Sequence, residues 1–377
     1  MNRNLEIIKN KNTELVKVEN IKKTNKERNH YVDLLKGIAI ISVILIHTVF
    51  HSGNSYVPRW FSNFTVLFEV PMFFFLAGWS FSYTKNNKSY IKSLILTQLR
   101  YMLFMIIIFI AINITNYLNF SNNQVGLGTL SKWFFHEYSS TAPFTSVSWS
   151  LWFFKVYFIV SIIGAMLLKL LNRKASKILT VLCYIGVFVV TFIYPSLGKL
   201  NMGVELSYIF FYLFFYMLGN LTKDRKFNLP EMIINFTSLV AILILINKLS
   251  SINILEIEDN KFPPNFVFLI WSSFGVVIVL YLKRFFNDCK ENILSKIGQN
   301  SIYVYFAQGI GASALFFIAP HITMDWYYKA IIMFAINLVL TAIITIILRL
   351  IIEPIIKICK DFLNKKIYSW FKEHIEI

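Results

Sequence analysis

Ten times along the chain an apolar run approaches or exceeds the length that crosses a bilayer. A helix rises about 1.5 Å per residue, so a hydrocarbon core of about 30 Å takes about 20 residues, with a lower limit near 17. The runs lie at 34–50, 64–83, 94–117, 149–171, 178–194, 205–221, 231–249, 264–282, 301–319 and 330–352. The segments between them are too short to build a second soluble domain. The expectation is an all-α polytopic integral membrane protein of about ten transmembrane helices. It divides into a polar N-terminal segment at 1–33, a ten-helix membrane domain at 34–352 and an amphipathic tail at 353–377. The first run does not read as a cleaved leader, because a long polar segment precedes it and no small-residue cleavage site follows.

Charge then orients the topology. The net charge is +17, but only 15% of residues are charged and 56% are hydrophobic, which excludes a nucleic-acid-binding or disordered chain. Sorted by loop, 26 of the 37 Lys and Arg residues fall on one side of the ten runs. That bias places both termini in the cytoplasm. Trp60, Trp133, Trp149, Trp152 and Trp326 gather at the opposite interface, where amphipathic rings are favoured. The three cysteines, Cys183, Cys289 and Cys359, stand singly and suggest neither a disulfide framework nor a metal site. The heavy use of Ile, Lys and Asn fits an AT-rich bacterial genome, and so a multi-pass protein of a bacterial cytoplasmic membrane.

Ionisable residues inside spans are costly, at least about 2.5 kcal/mol each at the bilayer centre, and are functional candidates by default. Lys36 stands at the cytoplasmic end of the first run and His47 in its outer third, within KGIAIISVILIH. Eleven residues at about 100° each bring the second side chain within about 20° of the first, about 16 Å further along the axis. A cation below an imidazole on one helix face suits a long ligand with an anionic head and a reactive far end. The plainer reading is a snorkelling Lys and a His bonded to a neighbouring helix. Asp33 stands where it would cap that helix.

The stretch YVDLLKGIAIISVILIH resembles the opening of the acyltransferase family 3 membrane proteins, in which a basic residue, ten others and a His share the first helix. VPMFFFLAGWSF at 70–81 is similar to that family's second-helix signature. Weaker echoes follow in order: FPPNFVFLI at 262–270, IGQNSIYVYFAQ at 297–308, and the IEP that ends the last span at Glu353 and Pro354. The resemblance covers about residues 31–355. It implies O-acylation, most simply O-acetylation, of an extracytoplasmic surface or lipid-linked glycan, with cytoplasmic acyl-CoA (acetyl-CoA) as donor substrate, no permanently bound cofactor and no metal. It implies that Lys36 meets coenzyme A phosphates and that His47 is the catalytic imidazole. Two departures stand out: Lys36 takes the place of the more usual Arg, giving a point charge for a bidentate fork, and Gln308 stands where many members carry His. Many relatives carry a fused extracytoplasmic domain, whose work here would fall to a separate transfer protein or to the membrane domain itself.

Further candidates follow from depth. Glu69 lies at the level of His47 on the next helix, where a carboxylate would orient the imidazole and raise its basicity. Its other possible partner is Lys155, two turns into the fourth span. Arg100 lies near the depth of Lys36 and reads either as a second phosphate contact or as a snorkelling topology residue. Trp149, Trp152, Lys155 and Gln308 are candidate substrate contacts. His51, one turn beyond His47, is a candidate proton relay. His47 would either take the acceptor's proton or carry the acyl group; the spacing leaves both open. A polysaccharide exporter of the same membrane fold is the alternative function, since a helix bundle with buried Lys155, Glu69 and His47 also suits proton gating.

Overall fold

The computed structural model describes residues 29–50, 56–84, 87–118, 125–137 and 144–375, with no side chains at 87–88 or 363–375. The N-terminal segment before Asn29 and His51 lie outside the described residues. Among the described residues there are helices and no strands. The principal ones are α1 (His30–Phe50), α2 (Arg59–Thr65), α3 (Val70–Phe81), α4 (Asn87–Leu118), α5 (Leu127–Phe134), α6 (Thr145–Ser150) and α7 (Trp152–Leu170). They continue with α8 (Arg173–Phe192), α9 (Leu206–Thr222), α10 (Leu229–Leu249), α11 (Phe266–Phe286), α12 (Ile293–Gln299), α13 (Ser301–Ile318) and α14 (Trp326–Ile375). Taking α2 with α3 and α6 with α7, nine helical segments among the described residues are long and apolar enough to cross a membrane, and the 17-residue α9 is a shorter apolar tenth.

Local chemistry sets the ends. Asn29, not Asp33, opens α1: its Oδ1 accepts from the Val32 amide at 3.2 Å, which moves the helix start ahead of the expected position 34. Asp33 lies inside the first turn, buried. Asn172 caps α8, and Asn228 with Glu231 forms a reciprocal capping box at α10, with Pro230 in the first turn. At the other end of the chain α14 runs unbroken through Pro354 to Ile375, so the last span and the tail are one helix.

The second span is broken. After α2 a single turn of 3-10 helix covers Val66–Phe68, and Glu69 is extended (φ −106°, ψ −153°) before α3 begins with Pro71 in its first turn. Proline has no amide hydrogen to donate back into a preceding turn, so it is favoured in the first turn of a helix, where that donor has no partner to lose. The fourth span is interrupted more mildly, by a single turn residue, Leu151, with helical dihedral angles (φ −79°, ψ −10°) between α6 and α7.

Helices α1, α3, α11 and α13 are largely buried, while α8, α10 and α14 turn Ile, Leu and Val outward, as a lipid-facing layer does. Close approaches between inner helices rest on glycine. A Cβ at Gly78 of α3 would meet the Tyr216 carbonyl of α9, and one at Gly219 of α9 would meet the Phe75 carbonyl of α3. The gap between them is filled by rings, including the Phe74 and Tyr212 stack at 4.3 Å. Lys283, which sequence position alone assigns to topology, lies over the Trp79 ring at 4.6 Å and donates to the Lys223 carbonyl just past α9. It is thus a buried helix cap.

Gly78→Ala should separate α3 from α9 and cost on the order of 1–3 kcal/mol, read as a lower unfolding midpoint of the purified protein. Gly128→Ala, at a helical position with open space around it, should be neutral or slightly stabilising in the same measurement.

Candidate functional site

Two cavities lie end to end along α1. The first, of about 720 Å³, opens at the Lys36 end and is walled by Lys36, Arg100, Ser80, Tyr90, Phe153 and Tyr305, among others. The second, of about 380 Å³, lies at the His47 end and is walled by His47, Glu69, Trp149, Trp152, Lys261 and Tyr305. Tyr305 belongs to both, so its ring is part of the partition between them. Its hydroxyl donates to the Ser150 carbonyl at 2.6 Å, at the break between α6 and α7.

At the Lys36 end the cationic wall is built, not incidental. Arg100 of α4 donates from Nε to the Tyr303 hydroxyl at 3.0 Å and from Nη2 to Glu353 Oε1 at 3.2 Å. Tyr303 donates to the same carboxylate oxygen at 2.6 Å. Three helices, α4, α13 and α14, thereby aim one guanidinium at the cavity that Lys36 also lines. Glu353, conspicuous in the sequence only through its IEP string, is the anchor of this arrangement; a mid-span Arg and an intramembrane Glu without another partner were the signal. Among the described residues no three His, Cys, Asp or Glu side chains converge as a metal-ligand set. What this cavity offers a large anion is Lys36 and Arg100, with the Asp33 carboxylate also in its wall.

At the His47 end the break in the second span does the positioning. Glu69 is the residue before α3, and its side chain makes no cap bond to that helix. It points instead to Lys261, with which its Oε1 is paired. Both are 4% exposed and His47 is 7% exposed. Lys261 Nζ also donates to both oxygens of Glu258 at 3.2 Å. Burial alone would lower the Lys261 pKa, but the carboxylates of Glu258 and Glu69 overcome it and raise the ammonium above its ordinary value. Glu69 Oε2 is buried and makes no hydrogen bond among the described residues.

The segment 250–265 that carries Lys261 folds back over this end. Asn260 donates from Nδ2 to the carbonyls of Asn253 at 2.9 Å and Glu256 at 2.8 Å. Arg59 pairs with Glu256 at 2.8 Å, and Asn63 donates to the Leu255 carbonyl at 2.8 Å. These bonds tie the segment to α2 and hold Lys261 inward.

The sequence candidates therefore divide. Lys36 and Arg100 come together at one cavity, and His47, Glu69, Trp149 and Trp152 at the other. The partner of Glu69 is Lys261 and not Lys155, which lines a neighbouring cleft. Gln308 lines neither cavity; it is fully buried in α13, with both amide atoms lacking a hydrogen bond among the described residues. Lys261, Tyr305 and Glu353 are the residues sequence reasoning missed.

Residues 29–351 match a family described as an acyltransferase domain, acyltransferase family 3, from the start of α1 to about the middle of α14. No match is found among curated proteins or among solved structures. A membrane-spanning helix bundle with a match over essentially its whole length belongs to that family: this chain is a membrane acyltransferase of acyltransferase family 3.

Proposed function

We propose that the chain moves a short acyl group, in the simplest case acetyl, from cytoplasmic acyl-CoA to a hydroxyl of an extracytoplasmic or lipid-linked glycan. The observation that carries this reading is the pair of cavities meeting at Tyr305, cations around one and a buried His with a carboxylate in the other. A donor with phosphates at one end and a thioester at the other needs that polarity. Lys36 and Arg100 hold the phosphates, and the pantetheine arm extends along α1 over the roughly 16 Å that separate Lys36 from His47. The chamber at His47 is small, which suits a short acyl group.

In the chamber, His47 accepts the proton of the acceptor hydroxyl as its oxygen attacks the thioester carbonyl. The carbon–sulfur bond breaks, and the imidazolium returns the proton to the leaving thiolate. Glu69, paired with Lys261, lies in the same chamber to stabilise the imidazolium that forms between these two steps.

His47→Ala should lower transfer by about 10²–10⁴-fold while the protein remains folded and membrane-inserted; full activity in this variant overturns the proposal. Lys36→Ala should raise the KM for acyl-CoA about tenfold, the equivalent of about 1.4 kcal/mol, with kcat little changed.

Lys261→Met leaves Glu69 buried without its cation and should cost about 3–5 kcal/mol of stability along with activity. Adding Glu69→Leu should restore much of the unfolding midpoint but none of the transfer. Restored transfer in the double variant would show that the pair serves the fold alone.

A further inference from the structure

A third hollow, of about 270 Å³, lies beside the His47 chamber and is walled by His136, Trp152, Lys155, Asn201, Glu205 and Tyr208, among others. Trp152 and Tyr208 are common to the two, so the cleft and the chamber share an aromatic wall.

The cleft is framed by rigid pieces. α7 presents Trp152 and Lys155 three residues apart, on one face. The turn before α9 is closed by the Met202 amide donating to the Val204 carbonyl at 2.9 Å and the Leu206 amide to the Leu200 carbonyl at 2.9 Å, around Gly203 at φ +91°. His136 stacks on Tyr101 at 4.5 Å and meets Gln98 Oε1 at 3.1 Å. Burial and, second to it, the Lys155 ammonium push the His136 pKa down to about 4, so the ring is neutral at ordinary pH.

The charges are what call for a ligand. Lys155 lies within a run of aromatic and aliphatic residues and makes no ion pair or hydrogen bond among the described residues. Glu205 borders the same cleft, and it too has no ion pair among them. An unpaired cation in a membrane-spanning helix is a binding-site signal. Here it faces a carboxylate held out of contact across a space with aromatic sides. An inorganic anion would meet Glu205, a cation would meet Lys155, and an acyl chain would leave both charges unsatisfied. A sugar ring satisfies both, because each hydroxyl can accept from an ammonium and donate to a carboxylate. Its C–H face packs on Trp152 or Tyr208, and Asn201 supplies a further donor and acceptor.

We infer that this cleft holds the sugar unit next to the one being acylated, so that the acceptor is a glycan of at least two linked units. The inference rests on the acyltransferase reading above for the identity of the neighbouring chamber, and the cleft's ligand class rests on its own charges and rings. The shared wall of Trp152 and Tyr208 is the point at which the two units pass from one site to the other.

The test uses the surface polysaccharide of the cell that carries this chain, freed of O-acyl groups by mild alkali and cleaved to fragments of one, two and three units. Binding to the full-length protein in nanodiscs is measured by calorimetry, and transfer from acetyl-CoA is measured separately on the same fragments. Two-unit fragments should bind at least tenfold tighter than one-unit fragments, and three units should add little. Lys155→Met and, on a different element, Glu205→Gln should each erase most of that tenfold gain; the second variant carries the test if the first lowers the unfolding midpoint. Equal binding of one and two units, a gain that survives both variants, or no binding of any fragment overturns the inference. Tight two-unit binding that needs Lys155 but yields no transfer from acetyl-CoA leaves the cleft in place and overturns the transfer reading instead.

Discussion

Backbone amides and carbonyls have no water to turn to inside a bilayer, and that constraint decides where this bundle can hold a reaction site. Helices satisfy the demand by themselves, so any interruption at membrane depth has to be met by other protein groups. Among the described residues, two irregularities border the His47 chamber: the extended residue Glu69 in the second span and the turn at Leu151 in the fourth. Each carries its own repair. The Ser42 hydroxyl of α1 donates to the Thr65 carbonyl at the end of α2, at 2.9 Å, and the Tyr305 hydroxyl of α13 donates to the Ser150 carbonyl at the end of α6. The broken spans are thus stitched to the two helices that flank the chamber. What the breaks gain is placement: a helix interior would have turned Glu69 along a regular face, whereas the residue before a proline-led helix can aim its carboxylate sideways.

The placement of charge follows the same economy. A buried carboxylate and a buried ammonium each cost several kcal/mol to take from water, and they persist only when paired with good geometry. Glu69 and Lys261 meet that condition together, with Glu258 sharing the ammonium. Arg100 and Glu353 meet it at the opposite end, with Tyr303 bridging them. The two clusters differ in exposure, and the difference matters. The Glu69 and Lys261 pair is sealed, which suits a fixed field beside His47. The Arg100 and Glu353 pair is partly open, with side chains 21% and 39% exposed, so the guanidinium keeps donors for an incoming anion.

How far the sequence could be read depended on distance along the chain. The spans were legible because each is a local property, a run of apolar residues bounded by polar ones. Lys36 and His47 were legible as a pair because eleven residues of one helix fix their relative direction. The depth of Glu69 was legible from the span it sits in, but its partner was not: Lys261 is 192 positions away in a segment whose cations count toward topology. Glu353 is 253 positions from Arg100 and had the same invisibility. Asp33 was misread as a cap because Asn29, four residues earlier, belongs to the polar segment by composition yet offers the better acceptor to the first turn. Gln308 was placed by resemblance at a substrate contact, but the face of α13 that turns to the cavities at that depth carries Tyr305, and Gln308 is turned into the bundle.

Tyr305 joins these strands. On the proposed reading the donor and the acceptor arrive from opposite ends and meet at the His47 chamber. The Tyr305 ring, anchored through its hydroxyl to the Ser150 carbonyl at the end of α6, stands where the two cavities meet. The same hydroxyl that meets the backbone demand at Ser150 therefore also fixes the ring at that junction. On that reading a donor reaching from one cavity to the other passes this ring, and the α6 to α7 junction to which the ring is bonded also carries Trp149 and Trp152 to the wall of the His47 chamber.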